Sequence, residues 1–210
     1  MASAIIHLAV AKKILEKIHV ENEYDYYLGS IAPDIAKQIG ESKDKSHFVI
    51  NTKEDIPNIK LFIKRYPTFL YNSFNLGYFT HLYTDKIWYE EILPKFKSFS
   101  SLKLLDGTIL NLDEEEMKSI IYSDYTNINT KIIEKYDLDL SLFYNDFIEP
   151  KTTLKEIPIN ELDILINKMG IIIENSKQKK TYTFDEYLIY DFIEDVKDRI
   201  IDEIYKYQKD

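Results

Sequence analysis

The sequence predicts an all-α fold, a multi-helix globular bundle. Only 5 Gly and 6 Pro punctuate its 210 residues, too few for a turn-rich sandwich or barrel. The stretches between them are dense in Ile, Leu, Lys, Glu and Tyr, and their apolar residues recur at helical spacing. The length fits one domain, 1–210, with enough chain to bury a sizeable core. No repeat, low-complexity block or clear linker divides it.

Ser3 is placed to cap a first helix running to about Ile18. Ile6, Val10, Ile14 and Ile18 share its apolar face, with His7 at the edge. The segment MASAIIHLAVAKKILEKI has no basic leader, and its apolar run meets His7, Lys12 and Lys13. It reads as an amphipathic helix rather than a signal peptide. A short helix around Tyr26 is expected to end near Gly29. A turn at Ala32-Pro33-Asp34 follows, because proline disfavours the helical region for the residue before it. Lys37 to Ser46 reads as a polar loop into His47-Phe48.

Helices are expected over 56–65 and 68–92, the second bounded by Pro67 and Pro94. Asp106-Gly107 between apolar runs marks a small hairpin or an extended loop within 96–112. Asp113 to Glu116 opens a helix to about Tyr136, and Asn160 to Asn175 forms another. Thr183-Phe-Asp-Glu186 is a capping box for a terminal helix with Leu188, Phe192, Val196 and Ile200 on its apolar face.

A formal net charge of -9 argues against nucleic-acid partners and anionic membranes, since phosphate backbones demand clustered Lys and Arg. The compact basic run, KQKK at 177–180, reads as a solvated loop. No stretch approaches about 18 uninterrupted apolar residues, so no integral membrane association is expected. The expectation is a soluble, cytoplasmic protein. With no Cys, any metal must rest on His and carboxylates.

One stretch raises the metal question directly: GYFTHLYTDKIWYEE, from Gly77, places His81 and Asp85 four residues apart. On a helix such residues share a face with Cβ atoms about 5–6 Å apart. A His nitrogen and an Asp oxygen so placed can converge on one cation at roughly 2.0–2.2 Å. Alone, the pair reads equally as a hydrogen-bonded couple. Of the four His, however, His7, His47 and His81 sit among apolar residues, accompanied by Asp34 and Asp85. Buried ionised carboxylates are costly unless paired or metal-bound. His19 stands beside Glu21 and Asn22 at the end of the first helix, where helix-dipole placement accounts for it.

Taken in order, SAIIHLAVAKKIL, LGSIAPD, KSHF and LGYFTHLYTDKIW resemble the zinc-dependent phospholipase C family. The likeness is greatest to its short bacterial members, the phospholipase C/D domain proteins, and runs from Ser3 to Trp88. It implies the multi-helix bundle of the phospholipase C and three-zinc nuclease type. It also assigns Asp34, His47, His81 and Asp85 to one zinc centre, with Asp85 bridging to a neighbouring ion that His7 also binds. One or two zinc ions follow, and the carboxylate of Asp34 is also the implied base for the attacking water. Physical chemistry agrees: zinc lowers the pKa of bound water towards 7, and a nearby carboxylate can take the proton. The expected substrate is a small-molecule or lipid phosphoester. No Ser or Cys nucleophile is required.

Departures from that family are also visible. Its secreted lipases use the amino group of a processed N-terminal Trp as a ligand, whereas this chain begins Met-Ala-Ser. They hold a further zinc with two more His and a Glu, and no His follows His81 here. Glu90, Glu91 and Asp124 are the remaining carboxylate candidates, each also readable as solvated surface. Trp88 and Tyr89 read either as pocket lining or as aromatic core. Two alternatives therefore stand beside the hydrolase: a helical domain with a structural metal or a ligand-binding role, and a metal-free scaffold with His–Asp hydrogen bonds in its core.

Overall fold

The computed structural model describes residues 2–51 and 55–208. It is helical: α1 (Ala4–Leu15), α2 (Glu23–Ile31), α3 (Ile35–Gln38), α4 (Lys43–Ser46), α5 (Ile59–Arg65), α6 (Ser73–Ile87), α7 (Glu114–Tyr136), α8 (Leu162–Glu174) and α9 (Glu186–Tyr207). Among the described residues the strands are β1 (Ser101–Lys103) and β2 (Ile109–Asn111). They form the small antiparallel hairpin, with Leu102 opposite Leu110. Gly107, at φ +89, makes its turn in a conformation that favours glycine.

Local side-chain chemistry starts most of the longer helices. The Ser3 hydroxyl accepts a hydrogen bond from the Ile6 amide, and Asp113 and Glu116 form a reciprocal capping box on α7. Asn22, Asn58 and Asn72 cap α2, α5 and α6, each side chain accepting from one backbone amide of the first turn. Helix α1 runs through the interior, packed against α2, α6, α7 and α9. Ile6, Val10, Ile14 and Ile18 are buried as their spacing predicts, and so are Phe192, Val196 and Ile200 of α9.

Several boundaries differ from expectation. Helix α1 stops at Leu15, and Ile18 follows in a turn that bonds back to the Ile14 carbonyl. Helix α2 runs through Gly29 to Ile31 and passes by a 3-10 turn, Ala32–Asp34, into α3. Ala32 keeps helical angles, φ -56 and ψ -35. Pro33 sits in the first turn of the 3-10 segment, where a missing N–H costs nothing. The expected loop 37–46 contains α4, capped by Ser42.

The expected helix over 56–65 begins at Ile59, and the one over 68–92 is divided. A 3-10 turn, Phe69–Tyr71, precedes an extended Asn72 at φ -133 and ψ 118, which restarts the chain as α6. A π-helical turn, Trp88–Ile92, then carries the chain out of α6. The cap of α9 is Asp185 rather than Thr183.

Glycines set the spacing of the helix pair that matters most for the site. A Cβ built on Gly29 would lie 2.1 Å from the Phe74 carbonyl oxygen, and one on Gly77 would lie 2.0 Å from that of Tyr26. Helices α2 and α6 therefore touch backbone to backbone, which only Gly allows. The contact is carried further by Tyr26 Oη and Thr80 Oγ1, 3.1 Å apart.

Candidate metal centre

The five residues singled out in sequence converge. His7 comes from the buried helix α1, and Asp34 closes the 3-10 turn before α3. His47 is the C-cap of α4, and His81 and Asp85 lie one turn apart on α6. Phe48, directly after His47, holds φ at 55, a costly value for an aromatic residue. Packing against Phe62, Tyr66 and Tyr78 sustains it, and the Tyr78 hydroxyl donates to the Ser46 carbonyl. Thus α4 presents His47 to the interior from a fixed turn.

Asp85 is the hub. Its Oδ1 lies 3.3 Å from His7 Nε2, and its Oδ2 lies 3.5 Å from His47 Nε2 and 3.7 Å from His81 Nε2. The Ala2 amide also donates to Oδ1, at 2.8 Å. Asp34 Oδ1 stands 3.9 Å from His47 Nε2. The rings of His7 and His81 stack with centroids 3.8 Å apart. His7, Asp34 and His81 form one set whose ligand atoms lie within 4.8 Å of one another, and His47, His81 and Asp85 form a second. His81 is common to both, and the two oxygens of Asp85 face different imidazoles.

One hydrogen-bond partner fixes the proton on His81. Its Nδ1 is 2.8 Å from the Ser30 carbonyl, which can only accept, so Nδ1 carries the proton and Nε2 a bare lone pair. The Ser46 hydroxyl lies 3.2 Å from the Lys43 carbonyl and 2.8 Å from His47 Nδ1. On the far side of that ring, His47 Nε2 faces His81 Nε2 at 3.2 Å. Two imidazole nitrogens this close share a proton or stand beside a cation. Both His7 nitrogens, Asp34 Oδ1 and Asp85 Oδ2 are buried without a hydrogen-bond partner. Such a density of orphaned acceptors is costly in a protein interior and is what a metal would satisfy.

The electrostatics point the same way. Burial, with the repulsion of His7 behind it, holds His81 well below its ordinary value of 6.5, so it is neutral, as a ligand must be. At 3.7 Å, the His81–Asp85 contact is then neither a salt bridge nor a hydrogen bond. Burial pushes the Asp34 carboxyl up, opposed by His47 and His7. At Asp85 burial acts upward too, but the electrostatics of its surroundings outweigh it and hold the carboxyl well below the usual range.

The downstream candidates stay outside this cluster. Glu90 pairs with Lys86 at 2.8 Å, and Glu91 is a bidentate partner of Arg199 at the surface. Asp124 is buried but structural: its Oδ2 accepts from the Tyr182 and Thr183 amides and from the Thr183 hydroxyl. Trp88 is core, packed edge-on to Phe184 and Phe192. His19 and the 177–180 run are exposed.

Two cavities lie near the cluster, and Asp34 lines one of them. That one, of about 280 Å³, is also lined by apolar Ala2, Ile5, Met169, Ile172 and Ile173. The other, about 620 Å³, holds more charged side chains and includes Lys37, Lys43 and Tyr89, whose hydroxyl accepts from Lys43 Nζ at 2.7 Å. Sequence reasoning missed these lysines, and also Ser30 and Ser46, which orient the imidazoles. Ser46 had a signal in its position directly before His47; the lysines had none.

No described helix is long and apolar enough to cross a membrane. No curated protein and no solved structure matches the chain. The family model described as zinc-dependent phospholipase C matches residues 6–136, a stretch that contains every residue of the His/Asp cluster and most of the chain. The chain belongs to the zinc-dependent phospholipase C family.

Proposed function

We propose that the protein is a zinc-dependent hydrolase of phosphoesters, with His7, Asp34, His47, His81 and Asp85 holding one or two ions. The observation that carries this reading is the close pair His47 Nε2 and His81 Nε2, 3.2 Å apart beside buried Asp34 and Asp85 oxygens that lack a hydrogen-bond partner. Zinc held there supplies a Lewis acid that polarises a phosphoryl oxygen and makes water acidic enough to attack near neutral pH.

The chain's own residues do the rest. Ser30 fixes the tautomer of His81, and Ser46 orients the ring of His47. Asp85 divides its oxygens between His7 and the His47–His81 pair, the arrangement of a bridging carboxylate. Asp34 lines the smaller cavity, and its side chain retains 10% exposure, whereas the side chains of His7, His81 and Asp85 have none. It is the member of the cluster that can meet a substrate, and its carboxylate takes the proton of the attacking water. Hydrolysis of bis-p-nitrophenyl phosphate tests the assignment: Asp34→Asn and His7→Ala abolish turnover while the helical content is kept.

The full burial of His7, His81 and Asp85 favours a second reading, a structural metal with every coordination position filled by protein. Fully metallated wild type that turns over no member of a phosphoester panel would establish that reading over the first.

A further inference from the structure

The two cavities share a wall made by Lys37, Tyr122 and Tyr125. Lys37 follows Asp34 by three residues, as the third of the four residues of the short helix α3. Most lysines of the larger cavity are neutralised in place. Lys43 pairs with Asp55 at 3.1 Å, Lys97 with Glu114 at 2.9 Å and Lys118 with Glu115 at 3.0 Å. Lys37 pairs with no carboxylate among the described residues. Its ammonium stands 3.7 Å from the centroid of the Tyr122 ring, a face that steadies a cation without consuming its hydrogen-bond donors. Glu41 also lacks an ion pair among the described residues, but it lines the larger cavity alone. The wall between the cavities thus carries an uncompensated cation, and the smaller cavity beyond it is bounded by the orphaned carboxylate of Asp34.

We propose that Lys37 is a specificity-determining residue that receives a second anionic group, a carboxylate or phosphate, carried on one ester arm of the substrate. This rests on the phosphoesterase reading above. With the reacting phosphoryl group at Asp34, one arm extends past Lys37 into the larger cavity and the other occupies the smaller one. Lys37 is exposed to the cavity, and substrates whose arm ends in an uncharged group forgo a charge-assisted hydrogen bond to it.

Two diesters separated by a single charge provide the test: 4-nitrophenyl phenyl phosphate and its 4-carboxyphenyl counterpart. Wild-type holoenzyme favours the carboxylated ester in kcat/KM by about tenfold, the worth of one charge-assisted contact. Lys37→Gln brings the ratio to within about twofold and Lys37→Glu inverts it. Lys60→Gln, an exposed change of equal charge outside both cavities, keeps the ratio. Calorimetric titration with 4-carboxyphenyl phosphate and phenyl phosphate reads the same preference as binding, with no need for turnover. A Lys37-dependent binding preference without hydrolysis of either ester overturns the hydrolase reading and leaves the anion site standing. Equal affinities in wild type, or a preference that survives Lys37→Gln, overturns the anion site.

Discussion

His47 and His81 face each other through Nε2 atoms 3.2 Å apart, and each ring is held on its far side through Nδ1, by the Ser46 hydroxyl and the Ser30 carbonyl. For His47 that bond runs to a side chain, and it can be removed without touching a ligand. Ser46→Ala should weaken zinc binding by about tenfold, the usual scale for loss of a partner that orients a metal ligand. Competition with a chromophoric chelator measures it, and His81→Ala, which strikes both ligand sets, should abolish binding altogether.

The backbone contact between α2 and α6 should be intolerant of any side chain. A Cβ on Gly77 would meet the Tyr26 oxygen at 2.0 Å and the Ser30 nitrogen at 2.9 Å, so the helices must part. Gly77→Ala is expected to cost about 3 kcal/mol or more in urea unfolding, in the range of severe core strain. Because Ser30 anchors His81, the variant should also bind zinc more weakly.

Asp124 should separate stability from metal binding. It ties α7 to the segment before α9 by accepting from two amides and one hydroxyl. Asp124→Ala leaves those buried donors unpaired and is expected to cost roughly 3 kcal/mol, with zinc content unchanged. A zinc deficit in the folded variant would return Asp124 to the metal site.

Acid should destabilise the metal-free protein earlier than ordinary carboxylates would. The folded-state value of His81 lies well below 6.5, so as pH falls through 6.5 the unfolded chain gains a proton that the folded chain does not. Stability therefore drops with falling pH, by at most about 1.4 kcal/mol per pH unit for one such group. Asp85, held low, adds a further loss at more acid pH, while Asp34, pushed up, acts in the opposite sense. Urea midpoints of chelated protein between pH 7.5 and 5.5 should fall, and His81→Gln should flatten the slope.

How much of this could be read from sequence depended on whether the signal was local. Ser3 and the Asp113–Glu116 box act within one helical turn, and both cap where expected. The cluster residues were visible because His7, His47 and His81 stood among apolar residues, accompanied by Asp34 and Asp85, in the order of the family's segments. Thr183 looked like a cap but was drawn to Asp124, a partner in distant sequence, so Asp185 took its place. Pro33 did not end its helix because the first 3-10 turn offers a position with no N–H to lose. The close approach of α2 and α6 at Gly29 and Gly77, and the lack of an ion pair for Lys37 among the described residues, depend on how helices meet, and no local pattern encodes that.

The central claim is that the His/Asp cluster is a metal centre, and metal analysis of protein purified without added zinc tests it most directly. Elemental analysis should find about one to two equivalents of zinc per chain, removable by chelator and restored on reconstitution, as expected for a His/carboxylate site. Less than about half an equivalent of any transition metal, unchanged after reconstitution, would contradict it.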